Sequence, residues 1–327
     1  VRAKLEAALN RRWYGGVKPN LLLVAIAFVY GSLIHFRRFL YRSGVLKSIK
    51  IQVPVIVVGN FTVGGTGKTP FTIALLQALQ NRGWNPGVVS RGYGRLGTEP
   101  VLVHPGSSAK ECGDEPLLIY QRTQCRIRVD TNRVDAAEFL VQQGCDLIIA
   151  DDGLQHCRLQ RDIEIELIDD ERKYGNGMLL PAGPLREKNR ACDFKVSNGA
   201  IEDDIPDHHY GMQLIYGDVE RLDGSERKPL AAFNDAKVDA IAGIGHPERF
   251  FNALMARGLN INPVAFPDHH DYSLDDFPDE APLLMTEKDA VKCRQLGLQD
   301  AWCVPVNAAL NETLFDAIDA RLKALSP

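Results

Sequence analysis

Apolar positions along the chain fall into two alternating patterns. Short runs such as residues 53–58 (VPVIVV) and 145–150 (CDLIIA) are apolar almost throughout, as expected of strands buried on both faces. Between them, residues from Pro70 onward (FTIALLQAL) and 133–143 carry the three- and four-residue apolar spacing of helices. Residues 87–90 and 125–130 read as further strands, and 162–168 (DIEIELI) alternates like one more. Strands and helices taken in turn predict a parallel sheet covered on both faces. Around 211–222 (GMQLIYGDVERL) the alternation suggests an extended ribbon instead. From Val238 a second, smaller series begins: VDAIAGIG, a helix over 247–257, the strands INPVAF, PLLMT and AWCVPV, and a last helix from Glu312. The expectation is a leader (1–50), a parallel-sheet domain (51–210), an extended linker (211–234) and a smaller α/β domain (235–327). A chain of 327 residues is long enough for two cores.

The leader departs from both patterns. Residues 21–34 (LLLVAIAFVYGSLI) are apolar all round. As a helix they would extend ~21 Å, short of the ~30 Å hydrocarbon core of a bilayer. Lys18, Arg37 and Arg38 bracket the run, with Trp13, Tyr14 and Tyr41 nearby. This predicts a helix lying in a membrane interface, with snorkelling cations and aromatic anchors. A buried core helix and a full span are the competing readings, and the short run weakens the span. No small-residue cleavage site follows, so a secretory signal is not expected. Charge points the same way: residues 1–50 hold ten Lys/Arg and one acid, +9, leaving −13 on the rest of a chain whose net charge is −4. A nucleic-acid partner is not expected, since the basic leader is apolar where such a binder is polar. Seven scattered cysteines with no CxxC pair predict reduced thiols, without a disulfide framework or a zinc site.

The most informative chemistry follows the first strand. Gly-Asn-Phe-Thr-Val-Gly-Gly-Thr-Gly-Lys-Thr (59–69) joins it to the next helix. Strand, glycine-rich loop, Lys-Thr, helix is the arrangement that cradles a nucleoside triphosphate. Backbone N–H groups from Thr62, Val63, Gly64, Gly65, Thr66 and Gly67 converge on phosphate oxygens, and the helix N-terminus adds its positive end. Lys68 then reaches the β- and γ-phosphates, and the Thr69 hydroxyl holds Mg²⁺. The strict pattern places glycine where this chain has Thr62. Asp151-Asp152, directly after CDLIIA, stands where such folds carry the carboxylates for Mg²⁺. A helix cap or turn pair is the plainer reading of the two acids. His156, four residues on, is a candidate for the phosphate neighbourhood or simply a structural histidine.

Seven motifs then stand in the order found in one family: the glycine-rich loop, Ser-Arg-Gly-Tyr-Gly-Arg (90–95), Gly-Asp-Glu-Pro (113–116), Asp-Asp-Gly-Leu-Gln-His (151–156), Pro-Ala-Gly-Pro-Leu-Arg-Glu (181–187), Phe-Pro-Asp-His-His-Asp-Tyr (266–272) and Thr-Glu-Lys-Asp (286–289). The chain resembles the tetraacyldisaccharide 4′-kinases, the lipid A 4′-kinases of Gram-negative bacteria, along its whole length. The resemblance implies a P-loop NTPase-like α/β fold with a membrane-associated N-terminal helix and a second, smaller α/β domain. It implies ATP and Mg²⁺, a lipid disaccharide substrate, and peripheral attachment to the cytoplasmic face of the inner membrane. Under it, Lys68 and Thr69 are the phosphate and Mg²⁺ residues, Asp151 and Asp152 the metal-side carboxylates, and His156 a histidine near the nucleotide. Asp114 resembles the catalytic aspartate, helped by His269 in preference to His270. Tyr93, Arg133, Arg186 and Glu187 resemble residues holding the phosphorylated sugar head group.

Each assignment has a plainer rival. Asp114 could cap the helix beginning at Glu115-Pro116. Arg186-Glu187-Lys188 could be a solvated charge cluster, and Arg133 could pair with Asp130 or Glu138. Residues 286–289 read as a strand-to-helix turn without a role. The alternative function is a P-loop regulatory ATPase or GTPase that transfers no phosphate to a small molecule. Its GTPase form is weakened because Lys288 directly precedes Asp289, which breaks the guanine-reading spacing.

Overall fold

A computed structural model describes residues 2–199, 208–277 and 281–325. Two sheets organise it. The strands of the first half are β1 (Val55–Gly59), β2 (Pro86–Ser90), β3 (Val101–Leu102), β4 (Arg126–Val129), β5 (Leu147–Asp151), β6 (Ile163–Asp169), β7 (Phe194–Asn198) and β8 (His209–Tyr216). Those of the second are β9 (Val219–Arg221), β10 (Arg227–Lys228), β11 (Lys237–Ala242), β12 (Asn260–Ala265), β13 (Leu283–Thr286), β14 (Ala301–Val304) and β15 (Val306–Leu310). The helices are α1 (Arg2–Tyr14), α2 (Leu21–Arg42), α3 (Lys68–Asn81), α4 (Ala109–Cys112), α5 (Asp114–Thr123), α6 (Arg133–Gln142), α7 (Pro247–Met255), α8 (Glu287–Cys293) and α9 (Glu312–Leu325).

The large sheet runs β15-β8-β7-β6-β1-β5-β2-β4-β3 and the small one β10-β9-β14-β13-β11-β12. β1 lies between β5 and β6, parallel to both, with Val57 opposite Ala150 on one side and Glu164 on the other. All five of its residues are buried. Because successive side chains point to opposite faces, Ile56 and Val58 join the core under α3, α5 and α9, while Val55 and Val57 join the core under α6. The small sheet is covered likewise, Val238, Ala240 and Ala242 on one face and Ile241 on the other.

Two expected boundaries are corrected. Residues 211–216 are no linker: they belong to β8, which pairs with β7 and β15 inside the large sheet. Only beyond Tyr216 does the chain cross to the small sheet through β9, and it returns between Val304 and Val306, where Gly217 N–H donates to the Pro305 carbonyl at 3.0 Å. The C-terminal domain therefore does not keep residues 306–325. Leu314, Phe315, Ile318 and Leu322 of α9 enter the core beneath α3, Arg82 pairs with Glu312 and Asp316, and Trp84 donates to Asp319. The periodicity of α9 marks which face is apolar; the core that receives it lies some 240 residues earlier in the chain.

The leader also differs. The helix containing the apolar run is α2, with 22 residues, ~33 Å at 1.5 Å per residue. Arg37 and Arg38 continue it instead of ending it, so by length and composition α2 could cross a membrane. One face nevertheless rests on the large unit. Ala27 is buried, the Tyr30 hydroxyl donates to the Arg186 carbonyl at 2.9 Å, and Arg38 pairs with Glu187 at 2.7 Å. Gly31 permits this approach, since a Cβ there would stand 2.6 Å from Leu179 Cδ1. The other face leaves Leu22, Phe28, Val29, Leu33, Phe36 and Phe39 exposed. All seven cysteines are free thiols.

Candidate active site

A cleft of about 560 Å³ separates the two units. Its floor is the loop between β1 and α3, with Val63, Gly64, Gly65, Thr66, Gly67, Lys68 and Thr69 all lining it. Gly64 (φ 107°) and Gly67 (φ 88°) take the left-handed backbone that turns amides toward one point. α3 begins at Lys68, two residues earlier than its apolar spacing suggests, and Pro70 occupies its first turn, where a missing N–H costs nothing. Thr62 lies behind the cleft, buried and bridged to Leu185. This explains how the loop accepts threonine there: the residue joins the 181–187 segment and not the ligand space.

Lys68 Nζ donates to Asn60 Oδ1 at 3.0 Å and stands 3.7 Å from Asp152. Arg186 donates from a single guanidinium nitrogen, Nη1, to both carboxylate oxygens of Asp152, at 2.9 and 2.7 Å. Burial alone would raise the Asp152 carboxyl, but Lys68 and Arg186 hold it well below the usual range. Asp151, buried at the end of β5 and bonded to the Thr72 hydroxyl at 3.4 Å, is pushed upward by that burial, with the negative charges of Glu115 and Asp152 adding. Asp152 has φ 47°, a strained value for a non-glycine residue and one that recurs at functional sites. A threonine hydroxyl and two carboxylates are hard oxygen donors. Among the described residues no group of three His, Cys, Asp or Glu could hold a metal alone. Mg²⁺ takes one or two carboxylates and completes its shell with phosphate and water.

Across the cleft, Asp114 opens α5 and meets the segment after β12. His269 Nδ1 stands 2.9 Å from Asp114 Oδ2, at φ 61°. The adjacent His270 turns to Asp276 at 3.2 Å and stacks on Phe266. Asp114 is 4% exposed, and its rival role is only partly present: Oδ1 accepts the Glu115 N–H at 2.9 Å, but Gly113 is the capping residue. Burial pushes the Asp114 carboxyl up; the His269 hydrogen bond and the neighbouring Lys288 and Lys292 charges outweigh it, leaving the group lowered. Tyr93 places its ring 4.8 Å from that of His269.

The remaining expected residues separate. Tyr93 and Arg186 line the cleft. Arg133 does not: it is 8% exposed and donates to the carbonyls of Asp151 and Asp152, both at 3.0 Å, pairing with neither Asp130 nor Glu138. Glu187 is buried against Arg38 and Gln155. Neither lines the cleft: what each holds in this structure is the fold around it, Arg133 through one guanidinium nitrogen and Glu187 through Arg38 and Gln155. His156 is likewise outside the cleft lining, with Nε2 buried and, among the described residues, without a hydrogen-bond partner. Burial, then Arg133 and Arg161, push its imidazole down to about 4. Residues missed from sequence are Glu115, Asp268 and Lys288, which also line the cleft. The only signal for Lys288 was its place in the Thr-Glu-Lys-Asp motif.

Comparison with known proteins agrees with this architecture. A family model described as Tetraacyldisaccharide-1-P 4′-kinase matches residues 19–323. The tetraacyldisaccharide 4′-kinase of Xylella fastidiosa (strain M23) is 45% identical over 324 residues, 96% of each chain. That of Xanthomonas euvesicatoria pv. vesicatoria (strain 85-10) is 48% identical over 330 residues, 96% of this chain and 95% of its own. The crystal structure of LpxK from Aquifex aeolicus in complex with ATP superposes with a TM-score of 0.78 at 29% identity, covering 91% of this chain and 98% of that one.

Proposed function

The chain belongs to the tetraacyldisaccharide-1-P 4′-kinase family, and we propose that the cleft between its two units is where it transfers the γ-phosphoryl of ATP to the 4′-hydroxyl of a tetraacylated disaccharide 1-phosphate. It is a kinase of lipid A biosynthesis, a phosphotransferase with an alcohol acceptor. The regulatory ATPase or GTPase alternative is not favoured by that membership. The observation that carries the site assignment is the Asp114–His269 pair, 2.9 Å apart: His269 lines the same cleft as Lys68 and Thr69, and the buried Asp114 lies behind it.

The loop amides and Lys68 bind the triphosphate, as such loops do. Thr69, Asp151 and Asp152 are the residues that would hold Mg²⁺, which when bound offsets phosphate charge. Arg133 keeps the Asp151-Asp152 backbone in place. As the sugar O4′ forms its bond to the γ-phosphorus, the bond from phosphorus to the β-bridging oxygen breaks and its electrons leave with ADP. The hydroxyl proton passes to Asp114, whose carboxylate His269 holds in position. Arg186 and Tyr93 face the head group. The exposed apolar face of α2 lies in the cytoplasmic leaflet of the inner membrane, with Glu187 and Arg38 fastening the helix to the catalytic unit.

Purified protein incubated with γ-labelled ATP, Mg²⁺ and the tetraacyl disaccharide 1-phosphate tests the reading. Label recovered on the 4′ position supports it; ATP hydrolysis that is indifferent to the lipid refutes it.

A further inference from the structure

Lys288 projects from the first turn of α8 into the cleft wall, its side chain 15% exposed. Its ammonium stands 3.0 Å from Asp268 Oδ1, 3.2 Å from Glu115 Oε1, 3.4 Å from His269 Nε2 and 4.0 Å from Asp114 Oδ2. Two of these acids come from α5 of the large unit, while Asp268, His269 and Lys288 come from the small one. Three carboxylates and one imidazole thus converge on a single cation.

We propose that Lys288 is a positioning residue for phosphoryl transfer, fixing the His269 imidazole with its Nδ1 proton toward Asp114 and joining the two units across the cleft wall. This rests on the proposed role of the Asp114–His269 pair. An ammonium has three hydrogens to donate and no lone pair, so it is saturated by Asp268, Glu115 and His269 Nε2. Nε2 must then be the acceptor nitrogen, and the ring proton sits on Nδ1. An ionised Asp114 is acceptor-only, so Nδ1–H is the partner it needs. Without the ammonium, Nε2 would face only Asp268, 3.7 Å away, and the ring would lose the donor that fixes its tautomer. Lysine suits the place because its compact charge sits on a flexible stem. Burial lowers the Lys288 ammonium, but Glu115, Asp114 and Asp268 outweigh this and raise it, so it stays charged.

Around the pair, α5 presents Asp114 and Glu115, the end of α4 the Cys112 thiol; α8 presents Lys288 and Lys292; the β12 exit presents Asp268; Tyr93 covers the ring. Among these, Lys288 is the positive charge in contact with both members. Lys288→Met should therefore lower kcat by about 10²-fold, the usual effect of a reacting group mispositioned by an ångström. It should leave KM for ATP near normal. The acid limb of the kcat/KM profile should move to higher pH by about one unit or more, as a carboxylate loses its cationic neighbour. Lys288→Arg, which keeps the charge, should restore the limb though not all of kcat.

Nitrogen NMR of His269 in the wild-type kinase gives a second readout that needs no variant to fold. A neutral ring protonated at Nδ1 is expected; a proton on Nε2 would overturn the proposal. So would Lys288→Met with wild-type kcat and an unmoved acid limb. If instead wild type phosphorylates no lipid, or Asp114→Asn is fully active, the site assignment itself fails, an outcome distinct from an inert Lys288 in an otherwise working site.

Discussion

Asp114→Asn separates a proton acceptor from a structural carboxylate. Asparagine keeps the shape and one oxygen to accept the His269 Nδ1–H, so the 2.9 Å contact survives. What disappears is a buried charge 4.0 Å from the Lys288 ammonium. At an effective dielectric of about 20, unit charges at that separation attract by ~4 kcal/mol, enough to keep the native carboxylate ionised against its burial. The variant therefore retains geometry and loses basicity. Removing a general base costs about 10²–10⁴-fold in rate, or roughly 3–5 kcal/mol of transition-state stabilisation. The assay is the initial rate of label transfer to the tetraacyl disaccharide 1-phosphate across a range of Mg²⁺ concentrations, with ATP affinity measured separately. kcat should fall within that range, with ATP affinity unchanged and no rescue by Mg²⁺. His269→Ala acts on the same step, so the double variant should lose far less than the product of the two effects. A kcat within a few-fold of normal, or recovery at high Mg²⁺, would make Asp114 a cap or metal-shell residue and refute the reasoning. The pH sign follows from its lowered carboxyl. The ionised form persists to below the ordinary ~3.9, and the stability it contributes is present above that value and lost as pH falls through the native one.

Four further outcomes are expected. Lys68→Ala should abolish turnover with an unchanged circular dichroism spectrum, since its ammonium points into the phosphate floor beside Asn60 and Asp152. Leu33→Ser with Phe36→Ser should shift the protein from membranes to the soluble fraction in flotation assays without lowering Tm, because both side chains are exposed and outside the core. His156→Gln should flatten the acid dependence of stability: the buried imidazole, pushed down to about 4, contributes stability present above its ordinary ~6.5 and lost as pH falls through about 4, read by urea melts at several pH values. Ile318→Ala should cost about 2–5 kcal/mol in the same melts, since this α9 residue is fully buried in the core beneath α3.

Much of this architecture is legible locally. The run at 53–58 and its glycine-rich exit specify a buried strand and a phosphate loop, because backbone freedom and side-chain period act over a few residues. The same holds for CDLIIA with its terminal acids and for the apolar run of the leader. Ordered motifs extend the reading to the reaction class. Periodicity, however, states which face of an element is apolar and not which core receives it. For that reason periodicity leaves β8 in a linker and β15 and α9 in the smaller domain, and it does not show that Arg133 holds the Asp151-Asp152 backbone or that Glu187 holds α2. Asp114 and His269 lie 155 residues apart, and Lys288 and Glu115 lie 173 apart. No local spacing encodes such meetings. They arise where the chain crosses from β8 to the small sheet and returns through β15, and the packing of α5 against α8 brings the two units' charges into a single cleft.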